Sequence, residues 1–303
     1  MNLGYACINM ELNARKGVDR VTTNRSMIKK TFQEKGLDYA SDLIIQNVVD
    51  LNEIIDWNEQ NNIKFFRMSS DIFPWASEYY QDWDSVPHID FIKMWLENAG
   101  LKAKEYGHRI TSHPGPFNVL VSPNENVVQN TITDLTIHAD IFDFMGLSRT
   151  PYNKLNIHCN GVYGDKQSAM DRFCKNFERL PESVQTRLTV ENDDKASMYS
   201  VKDLYEGIHK RIGIPIVFDY HHYKFNTGGQ TEQEALELAL STWGDITPVV
   251  HYSESKAEHQ LDESIRPQAH SDLINKLPDT YGNIVDIMVE AKHKELAIRE
   301  FMK

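Results

Sequence analysis

The 303-residue chain has few cysteines and no long apolar run. Its three cysteines, Cys7, Cys159 and Cys174, are odd in number and form no C-x-x-C pair, which argues against a disulfide framework and a thiolate zinc site. No stretch approaches the ~18–20 apolar residues of a transmembrane helix. The first residues also lack the charged start and apolar stretch of a secretory signal. We therefore expect an intracellular, cytoplasmic setting without a membrane partner.

Positive charge is also scarce, since 32 basic residues stand against 44 acidic ones and the formal net charge is −12. This balance argues against a surface coated with positive charge for phosphate binding, but it leaves room for a local basic surface. Residues 11–30 form such a segment, with six lysines or arginines against two acidic residues. Whether this segment binds an acidic polymer or is a solvated loop is left open by the sequence.

Glycine and proline occur at ordinary frequencies, with 15 and 11 residues, and hydrophobic residues make up 41% of the chain. These values exclude collagen-like and low-complexity classes and allow a sizeable core. There is no internal sequence repeat and no linker rich in glycine, serine or proline. Because barrels of ~250 residues are routinely single domains, we expect residues 1–303 to form one domain.

Short β-branched runs alternate along the chain with longer helical patterns. The predicted strands are 3–9, 63–68, 108–113, 154–159, 187–192, 215–220, 246–252 and 283–290. The predicted helices are 25–61, 91–107, 125–145, 166–180, 200–211, 231–243, a short helix before the eighth strand, and a last helix to residue 303. Eight parallel strand–helix units predict an α/β fold, a single (β/α)8 TIM barrel. A doubly wound open sheet is the alternative, but no G-x-G-x-x-G follows the first strand.

Polar residues stand at the carboxyl ends of the predicted strands, where barrel enzymes place their active sites. The first strand ends at Asn9, and the second runs into the Ser-Ser-Asp of 69–71. The next six all end in histidine or a carboxylate, namely His113, His158, Glu191, Asp219, His251 and Glu290. One such histidine would usually be structural, but six such ends in succession indicate a shared site.

Converging imidazoles and carboxylates would be poorly paired without cations, and these groups suit Zn²⁺, Mn²⁺ and Fe²⁺. The ligands are too many for one ion, so we expect two or three ions with a bridging carboxylate. Clusters with ions ~3.5–4 Å apart are the usual machinery of phosphoester hydrolysis.

The other histidines are divided by their position in the sequence. Either His221 or His222 can face the ions, and His270, in the loop after the seventh strand, stays undecided. The remainder are predicted to be surface residues in or beside helices: His88, His108, His138, His209, His259 and His293.

At these residues the chain resembles the UV damage endonucleases, a branch of the barrel family that also holds endonuclease IV-type AP endonucleases. The matching stretches follow the family order and cover nearly the whole chain. They are LGYACIN at 3–9, FFRMSSDIFP at 65–74, SHPG at 112–115, NIHCNGVYGDK at 156–166, LTVENDD at 188–194, FDYHH at 218–222, VHYSES at 250–255, PQAH at 267–270 and DIMVEAKHKELA at 286–297.

The resemblance implies a three-metal site, usually supplied with Mn²⁺. We therefore expect two to three divalent ions per chain, with Mn²⁺ preferred and Mg²⁺, Co²⁺ or Zn²⁺ as alternatives. The resemblance further implies that Glu191 bridges two ions. Asp219, His251 and Glu290 would complete one ion, His113 and His158 the second, and His222 and His270 the third. Glu191, His113 and His158 are accordingly the predicted catalytic residues.

The resemblance also implies contacts with damaged double-stranded DNA. Tyr5 and Asn9 match positions that the family uses near the damage, and Lys166 and Lys292 are predicted phosphate contacts. Bacterial members commonly follow SHPG with Gln-Tyr to probe the lesion, whereas this chain has Pro116 and Phe117. Phe117 can still enter a base stack as an apolar wedge.

A second departure concerns the third ion. Two residues before His251, several members carry a lysine that can become carboxylated, and this chain has Val249. The resemblance therefore implies fewer protein ligands for that ion.

The predicted activity is hydrolysis of the phosphodiester immediately 5′ to UV photoproducts and other damaged bases, without a protein nucleophile. The alternatives are AP-site cleavage as the main role, a metal-dependent sugar isomerase or epimerase on a related barrel, and a DNA-damage sensor without turnover. No obligate protein partner is evident from the sequence.

Overall fold

A computed structural model describes all residues from Met1 to Lys303. Eight parallel strands pair in sequential order, and β1 also pairs with β8, so the sheet closes into a barrel. The strands are β1 (Leu3–Ala6), β2 (Phe65–Met68), β3 (Arg109–Ser112), β4 (Leu155–His158), β5 (Leu188–Glu191), β6 (Ile216–Asp219), β7 (Val249–Tyr252) and β8 (Asp286–Val289). The predicted TIM barrel is confirmed, although each strand is shorter than the predicted run because the flanking residues leave the sheet for turns and bends.

Helices connect the strands outside the barrel. They are α1 (Met10–Asn13), α2 (Lys29–Gln60), α3 (Ile89–Glu105), α4 (Glu125–Phe144), α5 (Lys166–Phe177), α6 (Glu182–Gln185), α7 (Val201–Leu204), α8 (Lys210–Ile212), α9 (Tyr220–Tyr223), α10 (Glu232–Leu240), α11 (Lys256–Gln260) and α12 (Glu295–Phe301). None of these helices has the length and apolar composition needed to span a membrane.

Two predicted helices differ from the observed ones. The helix predicted over 25–61 begins at Lys29 and is broken at Gly36, whose φ of 69° is left-handed and suits glycine. The helix predicted over 200–211 consists of α7, a π-helical turn at Tyr205–His209 and α8. The capping box formed by Ser200 and Asp203 fixes its start.

The barrel interior is a packed core and not a channel. A cluster of six buried residues includes Phe65 of β2 and Val217 of β6, which lie on opposite sides of the barrel. Val249 and Met288 belong to the same cluster. Their apolar side chains form a floor beneath the carboxyl ends of β7 and β8.

Charged side chains are also buried in the barrel. The fully buried Arg109 lies 3.1 Å from Asp286 Oδ2 and donates to the carbonyl oxygens of Tyr152 and Thr247, each at 2.8 Å. Because a buried charge is tolerated only when it is paired and hydrogen-bonded, these contacts explain why the arginine can lie there. A second core cluster of 64 residues packs the barrel against the helices.

Candidate metal centre

The polar strand ends meet at the carboxyl rim of the barrel. His158, Glu191 and Asp219 are the last residues of β4, β5 and β6, and His251 lies one residue before the end of β7. His113 and Glu290 directly follow β3 and β8. Because all eight strands are parallel, these residues lie at one edge of the sheet. Several of them line a cavity of about 400 Å³ that opens at this rim.

Glu191 lies at the centre of this group and is almost completely buried. Its Oε2 lies 3.3 Å from His113 Nε2 and 3.1 Å from His251 Nδ1. Its Oε1 lies 3.7 Å from His158 Nε2 and 3.4 Å from His222 Nδ1. Each carboxylate oxygen thus faces two imidazoles, so both oxygens of Glu191 point into the cluster.

Two sets of side chains have ligand atoms close enough to bind one ion each. His113, His158 and Glu191 form one set, and Glu191, Asp219 and His251 form the other, with ligand atoms within 4.8 Å of one another in each set. Glu191 belongs to both sets.

A second carboxylate, that of Glu290, lies beside the cluster. Its Oε1 pairs with Arg67 and lies 3.3 Å from His251 Nδ1, while its Oε2 lies 4.0 Å from His270 Nδ1. All eight predicted metal ligands are therefore near one another, and their roles as ligands remain predictions.

The turn of the chain after β6 decides that His222, and not His221, faces Glu191. Asp219 Oδ1 accepts the backbone N–H of His222 at 2.8 Å and caps α9. His222 then faces Glu191, and its Nδ1 lies 2.9 Å from the carbonyl oxygen of Asn192. His221 is fully buried behind it, with its ring centroid 5.2 Å from that of His270.

His270 reaches the cluster from the long connection between β7 and β8. It forms an isolated β-bridge with Ser255, whose hydroxyl donates to the carbonyl oxygen of Pro267 at 2.8 Å. Glu254 Oε1 accepts the backbone N–H groups of Asn275 and Lys276 at 3.0 and 3.2 Å. These bonds hold the connection against the barrel and fix His270 in place.

Burial and mutual charge shift the pKa values of the cluster. Burial raises the pKa of Asp219 to about 7 and lowers that of His251 to about 4. Burial acts against protonation of His158 as well, but the carboxylates of Glu191 and Asp193 outweigh it and raise its pKa to about 9. Without bound cations, the cluster therefore holds protons that its residues would not carry in water.

Several buried ligand atoms have no hydrogen-bond partner. They are Asp219 Oδ2, His251 Nδ1 and His270 Nδ1. His158 Nδ1 is also not aligned for a hydrogen bond, but it lies 3.2 Å from Asp193 Oδ1 while Nε2 of the same ring faces Glu191. His251 Nδ1 lies close to both Glu191 and Glu290, yet it is aligned for a hydrogen bond with neither. Because unpaired buried polar atoms are costly, nitrogen and oxygen atoms that converge without bonding each other fit a site for divalent cations.

The predicted DNA contacts divide into two groups. Phe117 is 86% exposed, and Lys292 is also exposed, so both are available to a ligand. Lys166 is half-buried and donates to the carbonyl oxygen of Met198 at 2.6 Å and to Asp203 at 3.0 Å. Its ammonium group is thus already bound within the protein.

The side chains of Tyr5 and Asn9, which the resemblance places near the damage, are buried in this structure, and their contact with DNA stays a prediction. The Tyr5 hydroxyl donates to Asn58 Oδ1 at 2.7 Å and accepts from Asn9 Nδ2 at 3.0 Å. Asn9 Oδ1 accepts the backbone N–H of Leu12 at 2.9 Å and caps α1. These residues support the loop after β1 from inside.

Two histidines predicted to be on the surface are buried. His108 Nε2 lies 3.0 Å from Glu59 Oε2, and His138 Nδ1 lies 2.7 Å from the carbonyl oxygen of Asp134 one helical turn earlier. His209 and His259 are half-buried, whereas His88 and His293 are exposed as predicted.

The basic segment 11–30 is less positive in the structure than in the sequence. Arg25 pairs with Asp50 at 2.5 Å, and Arg15 pairs with Glu53 at 2.8 Å. Both acidic residues come from α2. Part of the charge available for an acidic ligand is therefore neutralised by the protein itself.

Sequence reasoning missed three polar residues beside the cluster. Arg67 pairs with Glu290, Asn156 donates to Glu191 Oε2, and the fully buried Lys154 has its Nζ 3.3 Å from His251 Nε2. Asn156 and Lys154 precede His158 by two and four residues, so the alternation of β4, continued to the residue before it, places all three side chains on one face. This alternation was the feature of the sequence that could have revealed Asn156 and Lys154. A lysine thus reaches His251 even though position 249 is valine.

A parallel (β/α)8 barrel with a buried imidazole–carboxylate cluster at its carboxyl rim defines a TIM-barrel protein with a candidate multi-metal centre. The family model of the UV-endonuclease UvdE matches residues 1–303, and the chain belongs to this family. It is 37% identical to the UV-damage endonuclease of Schizosaccharomyces pombe over 99% of this chain, although it spans only 50% of that relative. It is 32% identical to the UV DNA damage endonuclease of Clostridium perfringens, covering 98% of this chain and 69% of that relative.

Solved structures agree with this assignment. The crystal structure of SacUVDE is 31% identical, with a TM-score of 0.83 over 99% of this chain and 96% of that one. D-psicose 3-epimerase from Clostridium cellulolyticum H10 has a TM-score of 0.54 at 11% identity, covering 96% and 85% of the two chains. The second likeness concerns the barrel fold alone.

Proposed function

We propose that this protein is a metal-dependent endodeoxyribonuclease that hydrolyses the phosphodiester bond immediately 5′ to UV photoproducts and other damaged bases. The observation that carries the proposal is the position of Glu191, whose two oxygens each face two histidines in a cavity at the barrel rim. Membership of the UvdE family supplies the substrate class, because the similar relatives are named UV-damage endonucleases.

The eight predicted ligands would hold two to three divalent ions, with Mn²⁺ the preferred ion. When bound, such ions would polarise phosphate oxygens and make a water molecule a stronger nucleophile at neutral pH. Glu191, His113 and His158 are the proposed catalytic residues, since their ligand atoms lie together at the cavity. No protein nucleophile is required.

Neighbouring side chains keep the ligands oriented and charged. The ring of His113 is fixed by the carbonyl oxygen of Pro114, 3.2 Å from its Nδ1, which leaves Nε2 towards Glu191. Burial works against ionisation of Glu290, but Arg67 and His251 outweigh it and hold the pKa of Glu290 well below its usual range. Asn156 donates to Glu191 and itself accepts from Thr189 at 2.8 Å.

DNA would lie across the cavity, with Phe117 entering the base stack at the lesion. Phe117 is exposed on the loop that follows His113, so it can reach the duplex from the rim of the cavity. The proposed phosphate contact is Lys292. Damaged steps are cheaper to unstack than intact ones, which gives selectivity without a helix that reads a groove.

A test would incubate the Mn²⁺-loaded protein with an end-labelled duplex that carries one photoproduct. The expected product is a single nick 5′ to the lesion with 3′-hydroxyl and 5′-phosphate ends. A duplex with one abasic site and an undamaged duplex serve as substrate controls, and a sugar-epimerase assay tests the alternative barrel chemistry. Faster cleavage of the abasic duplex would make AP-site cleavage the main role, and no nicking of any duplex would refute the proposal.

A further inference from the structure

Tyr163 is an exposed aromatic residue that the metal centre does not use. It lies in the loop after β4, five residues beyond His158, and is 51% exposed. Its φ of 49° is left-handed, which is unfavourable for a side chain with a Cβ atom. Backbone strain of this kind at a bulky, exposed residue often marks a functional position.

The protein holds the tyrosine ring in place from two sides. A Cβ atom at Gly161 would lie 2.8 Å from the Tyr163 ring, so only glycine allows the ring to pack there. The guanidinium carbon of Arg172 lies 5.7 Å from the ring centroid, within the range of a cation–π contact. Arg172 is itself anchored by a 2.7 Å bond from Nε to the carbonyl oxygen of Val121. The ring is therefore fixed before any ligand arrives.

The loop of Tyr163 is joined to the loop of Phe117. Asn160 Nδ2 lies 3.4 Å from the carbonyl oxygen of Pro116 and 3.3 Å from that of Asn118, the two residues that flank Phe117. Asn160 and Pro116 also line the metal cavity. Two exposed aromatic side chains thus project from adjacent, hydrogen-bonded loops beside the candidate active site.

The loop carries one exposed acidic residue, and one basic side chain lies beside the Tyr163 ring. Asp165 is exposed, but its Oδ1 accepts the backbone N–H groups of Gln167 and Ser168 at 3.0 and 3.2 Å as the cap of α5. The positive guanidinium of Arg172 lies beside the Tyr163 ring.

We propose that Tyr163 is a second aromatic DNA contact, on which a nucleobase beside the lesion stacks while Phe117 enters the lesion itself. This inference rests on the proposed function. A ring that is already ordered loses little conformational entropy on binding, which makes its contact with DNA more favourable. Tyr163 would act in binding and positioning, and it would take no part in the chemical step.

The test uses full-length protein with Tyr163→Gly, which removes the ring and suits the left-handed backbone, and Tyr163→Phe, which keeps the ring. Tyr281→Gly is the matched control, because Tyr281 also has a left-handed φ, of 50°, precedes a left-handed glycine and lies outside the metal cavity. Binding of a photoproduct duplex with 2-aminopurine beside the lesion is measured by anisotropy and by quenching, alongside KM, kcat, metal content and Tm.

We expect Tyr163→Gly to raise Kd and KM at least about fivefold, the lower end of the loss of one base–aromatic stack. Its kcat and metal content should not change, its Tm should not fall, and quenching of 2-aminopurine should weaken. Tyr163→Phe and Tyr281→Gly should bind as the wild type does. Normal binding by Tyr163→Gly, or an equal loss in Tyr163→Phe, would overturn the proposal. A wild-type protein that neither binds nor nicks the damaged duplex would instead refute the proposed function.

Discussion

Glu191→Gln is the most informative substitution in the metal centre, because it keeps the shape of the side chain and removes one negative charge. Asn156 Nδ2 donates to Glu191 Oε2, so the glutamine would place its amide oxygen there and its amide nitrogen at the Oε1 position. That nitrogen would then face His158 Nε2 and His222 Nδ1, which lie 3.7 and 3.4 Å from Oε1. The two N–H groups of the glutamine amide would thus point to the place where an ion is expected.

The expected loss follows from this geometry. Removal of one preorganised electrostatic group from an active site typically costs ~10²–10³ in rate, and here the group lost is one that two ions would share. We therefore expect nicking of the damaged duplex to fall by at least ~10²-fold. The metal content should also fall by one ion or more, because the glutamine nitrogen cannot act as a ligand.

The measurements are single-turnover nicking of a photoproduct duplex and elemental analysis of the same preparation. Glu237→Gln is the matched control, since Glu237 is exposed on α10 and accepts only from Gln233, at 2.8 Å. That control should keep both activity and metal. Near-normal nicking by Glu191→Gln would show that the bridging ligand lies elsewhere and would refute this account of the site.

The remaining predictions concern metal content, pH and the wedge. Protein purified without chelator and incubated with Mn²⁺ should hold two to three ions per chain by elemental analysis, and finding none would contradict the metal site. Burial raises the pKa of Asp219 to about 7, so its ionisation destabilises the metal-free fold as the pH rises above the unfolded value, which is about 4. Protonation of His158, whose pKa is near 9, stabilises that fold fully below about pH 6.5, and this stabilisation is lost as the pH rises to about 9. Below about pH 6.5 the effect of Asp219 is offset by His251, whose pKa near 4 means that the metal-free fold gains stability as this imidazole deprotonates. The difference in Tm between Mn²⁺-loaded and chelator-treated protein should therefore widen between about pH 6.5 and pH 9, and a constant difference over that range would contradict the pKa shifts. Phe117→Ala should lower kcat/KM on a damaged duplex by an amount equivalent to ~1–3 kcal/mol and by less on a substrate already open at the lesion, without change in metal content. Equal losses on both substrates would exclude the wedge.

The positions of the candidate ligands were largely predictable because strand geometry is regular. Parallel strands end at the same rim, so a histidine or carboxylate at the end of each strand, such as His158 or Glu191, had to approach its neighbours. Strand alternation also predicts which side chains point inward. His222 was harder to assign because a helix begins directly after Asp219, and the direction of its side chain depends on the capping bond.

Residues whose surroundings do not follow from strand geometry were harder to predict. Asn9 stands at a predicted strand end and Tyr5 was singled out by the resemblance alone, and the structure shows that their side chains bond to each other, to Asn58 and to the start of α1. Such partners come from distant parts of the chain or from local backbone geometry, and spacing does not reveal them. His138 was misplaced for a related reason, since a carbonyl oxygen of its own helix satisfies its Nδ1 and allows it to be buried.

The origin of His270 has a consequence for how the centre is assembled. The other candidate ligands lie on, or next to, strands whose pairing closes the barrel, so they come together as soon as the sheet closes. His270 instead arrives on a connection whose residues 261–264 are exposed, and segments with few buried contacts open at lower free energy than the core. The cluster thus joins side chains fixed by the closed sheet to one, His270, whose position depends on the hydrogen bonds of a long and partly exposed connection.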